Sequence, residues 1–112
     1  MEDKILTTVK KMLGLADDYD AFDTDIIVDI NSVMLNLKQI GVGPTEGFSI
    51  TTGDETWKDF IGTDNISLIA VQQYVYLKTR MIFDPPTTSA HIDAIKAAIS
   101  ELEWRLCLEV EG

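Results

Sequence analysis

The sequence predicts an all-α fold: one domain over residues 1–112, a small bundle of four main helices with a long irregular loop between the second and third. Three observations predict it. Apolar residues recur at spacings of three and four along residues 2–13, 24–40, 64–83 and 89–109. Glycines and a proline gather between 41 and 62, where they break any long element. The stretch Asn65–Pro86 carries two apolar rows, Ile66, Ala70, Tyr74, Leu77 and Met81 beside Leu68, Val71, Val75 and Ile82. That stripe is wider than a surface helix needs, so this helix is expected to be central and covered on several sides.

Each element has its own start and stop signals. In the first helix, Ile5, Leu6, Val9, Met12 and Leu13 share a face; acids lie in its first turn, Lys10 and Lys11 in its last, and Gly14 follows as a left-handed cap. An acidic connector then carries Asp17, Asp18 and Asp20. A calcium loop is disfavoured there: counting from Asp18, Phe22 takes a ligand position and Asp23 replaces the required glycine. Asp23 is the expected N-cap of the second helix, with Phe22 stapled to Ile27. Ile26, Ile30, Val33, Leu37 and Ile40 form its buried seam, and Gly41 ends it. Asp25 and Asp29 lie one turn apart on its outer face with no third group beside them, which points to a solvated surface.

The loop 41–62 alternates at Phe48–Thr51, compatible with a short strand. Asp54 is the expected cap of an extra short helix reaching Phe60, closed by Gly62. Trp57 and Phe60, three residues apart, either anchor the loop to the core or form a partner-binding patch; the preference of large aromatics for burial favours anchoring. Thr63 or Asp64 is expected to cap the central helix, which must end near Phe83 because Asp84 precedes Pro85 and Pro86. In the last helix, Ile92, Ile95, Ile99, Leu102 and Leu106 make a seam, while Ala90, Ala97, Trp104 and Leu108 occupy the opposite side. A Trp and a Leu facing away from the core point either to an interface or to a covering neighbour.

Composition limits the function classes. Nineteen acids against nine bases give a net charge of −10, which argues against holding nucleic acid through its phosphates. No apolar run approaches a membrane span, and the first residues lack the basic start and apolar run of a signal peptide. The single cysteine, Cys107, has no internal partner and suggests a reducing, cytosolic setting. It lies in no recognisable spacing to a catalytic histidine, and His91 has neither cysteine nor second histidine near it for zinc. No phosphate loop, nucleophile elbow or dinucleotide fingerprint is present, so neither a catalytic centre nor a metal or cofactor is expected. Arg80, near the end of the central helix and beside Asp84, either complements the helix C-terminus or meets a carboxylate at a subunit contact.

Five phrases taken together carry a family resemblance. They are Phe22-Asp23-Thr24-Asp25-Ile26-Ile27; Ile40-Gly41-Val42-Gly43-Pro44 with Gly47-Phe48-Ser49-Ile50; Thr56-Trp57-Lys58-Asp59-Phe60; Tyr76-Leu77-Lys78-Thr79-Arg80 with Phe83-Asp84-Pro85-Pro86; and Glu101-Leu102-Glu103-Trp104-Arg105-Leu106. In their order and spacing they resemble the small head–tail connector (adaptor, or head-completion) proteins of tailed bacteriophages and prophages of Gram-positive bacteria. The resemblance implies a structural rather than enzymatic role in the virion at the head–tail junction, with the host cytoplasm as the place of assembly. It implies a ring of about twelve copies on the portal protein, closed by the symmetry of repeated contacts. Such a ring extends the DNA channel and offers a platform to the next head-completion or tail protein. DNA passes through without being specifically bound, and no membrane is involved.

Within that frame the candidate contact residues are Trp57, Phe60, Arg80, Phe83, Asp84, Pro85, Pro86, Trp104 and Leu108. The acidic cluster Asp17, Asp18 and Asp20 is the candidate channel-facing surface, since a carboxylate-rich wall repels phosphate. Two other readings compete: an acidic DNA mimic that blocks a host nucleic-acid-binding enzyme, and a small regulatory helical dimer. A mimic wants carboxylates spread along one face like phosphates, whereas here they are dense from Asp17 to Asp29 and scattered elsewhere.

Overall fold

The computed structural model describes residues 4–62 and 66–111. Five helices follow one another: α1 (Ile5–Met12), α2 (Asp23–Ile40), α3 (Trp57–Ile61), α4 (Leu68–Phe83) and α5 (Ser89–Glu111). α4 packs against α2, α5 and α1, which makes it the centre of the bundle as its double stripe predicts. The core joins Ile5 and Val9 of α1, the Ile26–Leu37 seam of α2, Val71, Tyr74 and Val75 of α4, and Leu106 of α5. The cover on α4 is incomplete, however. Leu68, Ile69 and Ile82 remain 39%, 72% and 53% exposed.

Helix ends show where local signals were sufficient. Gly14 adopts φ +87° and its N–H donates to the Lys11 carbonyl, which stops α1. Gly41, at φ +107°, donates to the carbonyls of Leu37 and Lys38 and stops α2. α4 ends at Phe83 as the Asp84-Pro85 pair requires. The first turn of α1 carries no acid, since the helix begins at Ile5; Glu2 and Asp3 lie outside the described residues.

Three expected caps are corrected. Asp23 is not the N-cap of α2; that position belongs to Phe22 and has no side-chain cap. The Asp23 carboxylate instead lies 2.8 Å from Nζ of Lys10, whose side chain is only 3% exposed. A buried ammonium needs a counter-charge more than a helix needs one more cap. The ring of Phe22 packs edge-on against Tyr19 and Phe83, holding the start of α2 to the end of α4. Asp54 does not cap α3. Thr56 does, in a reciprocal capping box with Asp59, while Asp54 pairs with Lys4 at 3.1 Å. Ser67 caps α4 through its hydroxyl, which accepts from the Ala70 N–H; Thr63 and Asp64 lie outside the described residues.

No strand forms at Phe48–Thr51. The side chain of Asn31 takes the place of a strand partner: its Nδ2 donates to the Ile50 carbonyl at 2.9 Å and its Oδ1 accepts from the Ile50 N–H at 2.7 Å. Both backbone groups of a buried residue are thereby satisfied without a sheet.

Candidate functional site

Trp57 and Phe60 belong to the interior. Each is 2% exposed, and the Trp57 indole N–H donates to the Thr8 hydroxyl at 3.1 Å. Phe60 packs against Phe48 and closes on Gly43, whose φ of +89° and missing side chain make room for the ring. The anchoring alternative therefore describes both residues. Both side chains are buried within this chain.

The residues of the α4–α5 corner do come together. Arg80, Asp84, Pro85 and Pro86 line a shallow hollow of about 290 Å³ with Thr87, Thr88 and His91. Arg80 donates from Nη1 to the Tyr76 hydroxyl at 3.2 Å, and none of the ion pairs among the described residues uses it. Its guanidinium therefore stands at the rim of the corner without neutralising Asp84. Phe83 is half-buried and committed to Phe22, so it supports the corner more than it presents it.

The outer face of α5 is open. Trp104 is 62% and Leu108 48% exposed, and Ala90 and Ala97 continue the same face uncovered. Among the described residues, no neighbouring element covers Trp104. The helix itself is held from its other side. The Tyr74 hydroxyl donates to Glu103 at 2.8 Å, and the Ser67 N–H donates to Glu109 at 2.9 Å. Burial, then the bond to Glu103 and its charge, push the Tyr74 phenol far above its ordinary value, so it remains a donor.

Asp17, Asp18 and Asp20 are all exposed. Lys10 donates to the backbone carbonyl of Asp17 at 3.1 Å, which orders the connector while leaving these three carboxylates facing outward. On α2, partial burial and then the like charge of Asp25 raise the carboxyl of Asp29 above its ordinary value.

Among the described residues, no three His, Cys, Asp or Glu side chains come together to hold a metal ion, and no helix is long and apolar enough to cross a membrane. His91 is exposed and Cys107 half-buried on α5. What the fold assembles is surface. It includes a groove the sequence reading did not single out, floored by α4 and α5 and lined by Lys78, Met81, Ile82, Lys96 and Ile99, with a volume of about 430 Å³. Ile82 belongs by spacing to an apolar row of α4, yet the way α4 and α5 meet leaves it open. The sequence profile of the family described as phage connector protein matches residues 5–112. No curated protein and no solved structure matches the chain.

Proposed function

The chain belongs to the phage connector protein family, structural components of the virion, and from that premise we propose that its copies form a ring on the portal at the head–tail junction. The ring extends the DNA channel and offers its far side to a tail or head-completion protein. One observation supports this most strongly: the last helix, inside the family match, keeps a tryptophan and a leucine out of its own core. A lone monomer gains nothing from an exposed Trp104, whereas a copy with a neighbour gains its burial. Copies repeated around an axis need such contacts in every protomer.

The acidic connector supplies the second part of the reading. With Asp17, Asp18 and Asp20 on the lumen, the wall repels phosphate and lets DNA slide. The corner of Arg80, Asp84, Pro85 and Pro86 serves as the second contact region, toward the portal or the next protein. Electron microscopy of the purified chain mixed with portal-bearing heads tests the assembly, with a ring of density at the portal vertex as the expected result. Heads assembled without the chain that still retain DNA and acquire tails normally overturn it. Reversing Asp17, Asp18 and Asp20 together to Lys is expected to slow DNA ejection; unchanged ejection removes these residues from the lumen.

A further inference from the structure

Resting on the ring reading above, we propose which two surfaces meet between neighbours: the outer face of α5 in one copy seats in the α4–α5 groove of the next. The two surfaces complement each other in pattern. On α5, Glu101, Trp104, Leu108 and Glu111 fall at successive spacings of three, four and three, so they share one side of the helix. Two acids thus bracket two exposed apolar side chains over about 15 Å at 1.5 Å per residue. In the groove, Lys78 and Lys96 accompany an apolar floor of Met81, Ile82 and Ile99. Its volume of about 430 Å³ accommodates an indole.

The charges of the groove are accounted for from every wall. Lys78 lies 5.7 Å from the centre of the Tyr74 ring. Glu103 also reaches the groove, and the hydrogen bond it accepts from the neutral Tyr74 hydroxyl holds it without removing its charge. The groove thus carries two ammonium groups against one carboxylate, a small positive excess on a chain whose net charge is −10. On the other side of the contact, Glu101 is tied only to the exposed Arg105, an exchangeable surface pair.

Other partners for the Trp104 face fit less well. Two α5 faces packed on each other would bring Glu101 and Glu111 of one copy against the same acids of the other, and like charges in an interface are costly. The exposed Val28 and Leu35 of α2 are apolar enough, but Asp25 lies one turn from Val28, and Lys38, near Leu35, shares its hollow with the acid Glu46. The groove joins its apolar floor to two lysines, and that combination answers the two acids that bracket the α5 face. A contact between two different surfaces can repeat from copy to copy, which a ring requires and a two-fold contact does not provide.

The test uses the full chain added to phage heads that lack it. The α5 variant is Trp104→Ala with Leu108→Ala; the groove variant is Ile82→Glu with Lys96→Glu. All four positions are exposed, so unchanged helical circular dichroism is expected of both. The wild-type chain forms a ring on the heads, and each variant alone loads roughly tenfold less or worse, as expected when interface anchors are removed. In a Cys107→Ser background, a chain carrying Ile82→Cys and a chain carrying Leu108→Cys form a mixed disulfide-linked pair on the heads when a thiol oxidant such as diamide is added to accept the two electrons. Leu108→Cys alone does not pair with itself. A wild-type ring whose variants load normally, or whose Leu108→Cys chains link to each other and not to Ile82→Cys, overturns this contact and leaves the ring intact. A wild-type chain that forms no ring on the heads overturns the ring reading, and the contact with it.

Discussion

Residues 42–62 contain one helix of five residues, yet they bury Val42, Ile50, Trp57 and Phe60. α5 runs for 23 residues and buries only Ile95 and Leu106. Regular structure and burial are thus decoupled in this molecule. The loop can enter the core because side chains satisfy its backbone: Asn31 at Ile50, the capping box at Thr56, and the Glu55 carboxylate, which accepts the N–H groups of Thr51, Thr52 and Gly53. α5 satisfies its own backbone and needs only one side for anchorage. Its other side is left uncovered among the described residues, and the segment that looks least ordered in sequence is the one that enters the core.

Substitution on the loop side tests this comparison most severely. Trp57→Ala removes a buried indole and its bond to Thr8, and is expected to cost about 3–5 kcal/mol in denaturant unfolding. A loss comparable to that of an ordinary surface change would mean that the loop does not anchor the core. Gly43→Ala comes next, at about 1–3 kcal/mol, because a side chain there meets both a positive φ and the Phe60 ring. Asn31→Ala should cost about 1–2 kcal/mol by leaving the Ile50 backbone without partners, read from the same unfolding curves.

Glu55 offers a pH test. Desolvation, the largest single influence, pushes its carboxyl up, but hydrogen bonds from Thr51, its own amide and Thr52 together outweigh it and bring the carboxyl down to about 2 from 4.5. A carboxyl depressed in the folded state favours folding above its unfolded value. That contribution is present in full above pH 4.5 and is lost as pH falls toward about 2. Glu55→Gln should therefore flatten the acid limb of the stability curve across that window, and an unchanged limb would contradict the role given to Glu55. The smallest effect is expected on α5: Trp104→Ala should change stability by no more than about 0.5 kcal/mol, since the side chain leaves no cavity. A large loss there would erase the contrast between the two regions.

Sequence patterning was most informative where a signal is local. The seam of α2, the glycine stops at Gly14 and Gly41, and the Asp84-Pro85 stop of α4 all depend on backbone geometry within a few residues. Caps were less legible. Several acceptors stand near each helix start, and distant partners decide among them: Lys10 recruits Asp23, and Lys4 recruits Asp54. Of the contact candidates, Trp104 and Leu108 could be read as outward from periodicity alone. For Trp57 and Phe60 the preference of large aromatics for burial favoured anchoring, while their partners, the Thr8 hydroxyl and the gap at Gly43, come from distant segments.

By itself, then, the sequence determined the helices, their order, the acidic balance and the outward face of α5, because helical periodicity and net charge are properties of the chain. The tertiary structure alone decided which partners receive the glycine-rich loop in the core and that Lys78 and Lys96 flank one open groove. Both depend on which distant segments meet, and no short stretch of sequence encodes how two helices leave a gap between them.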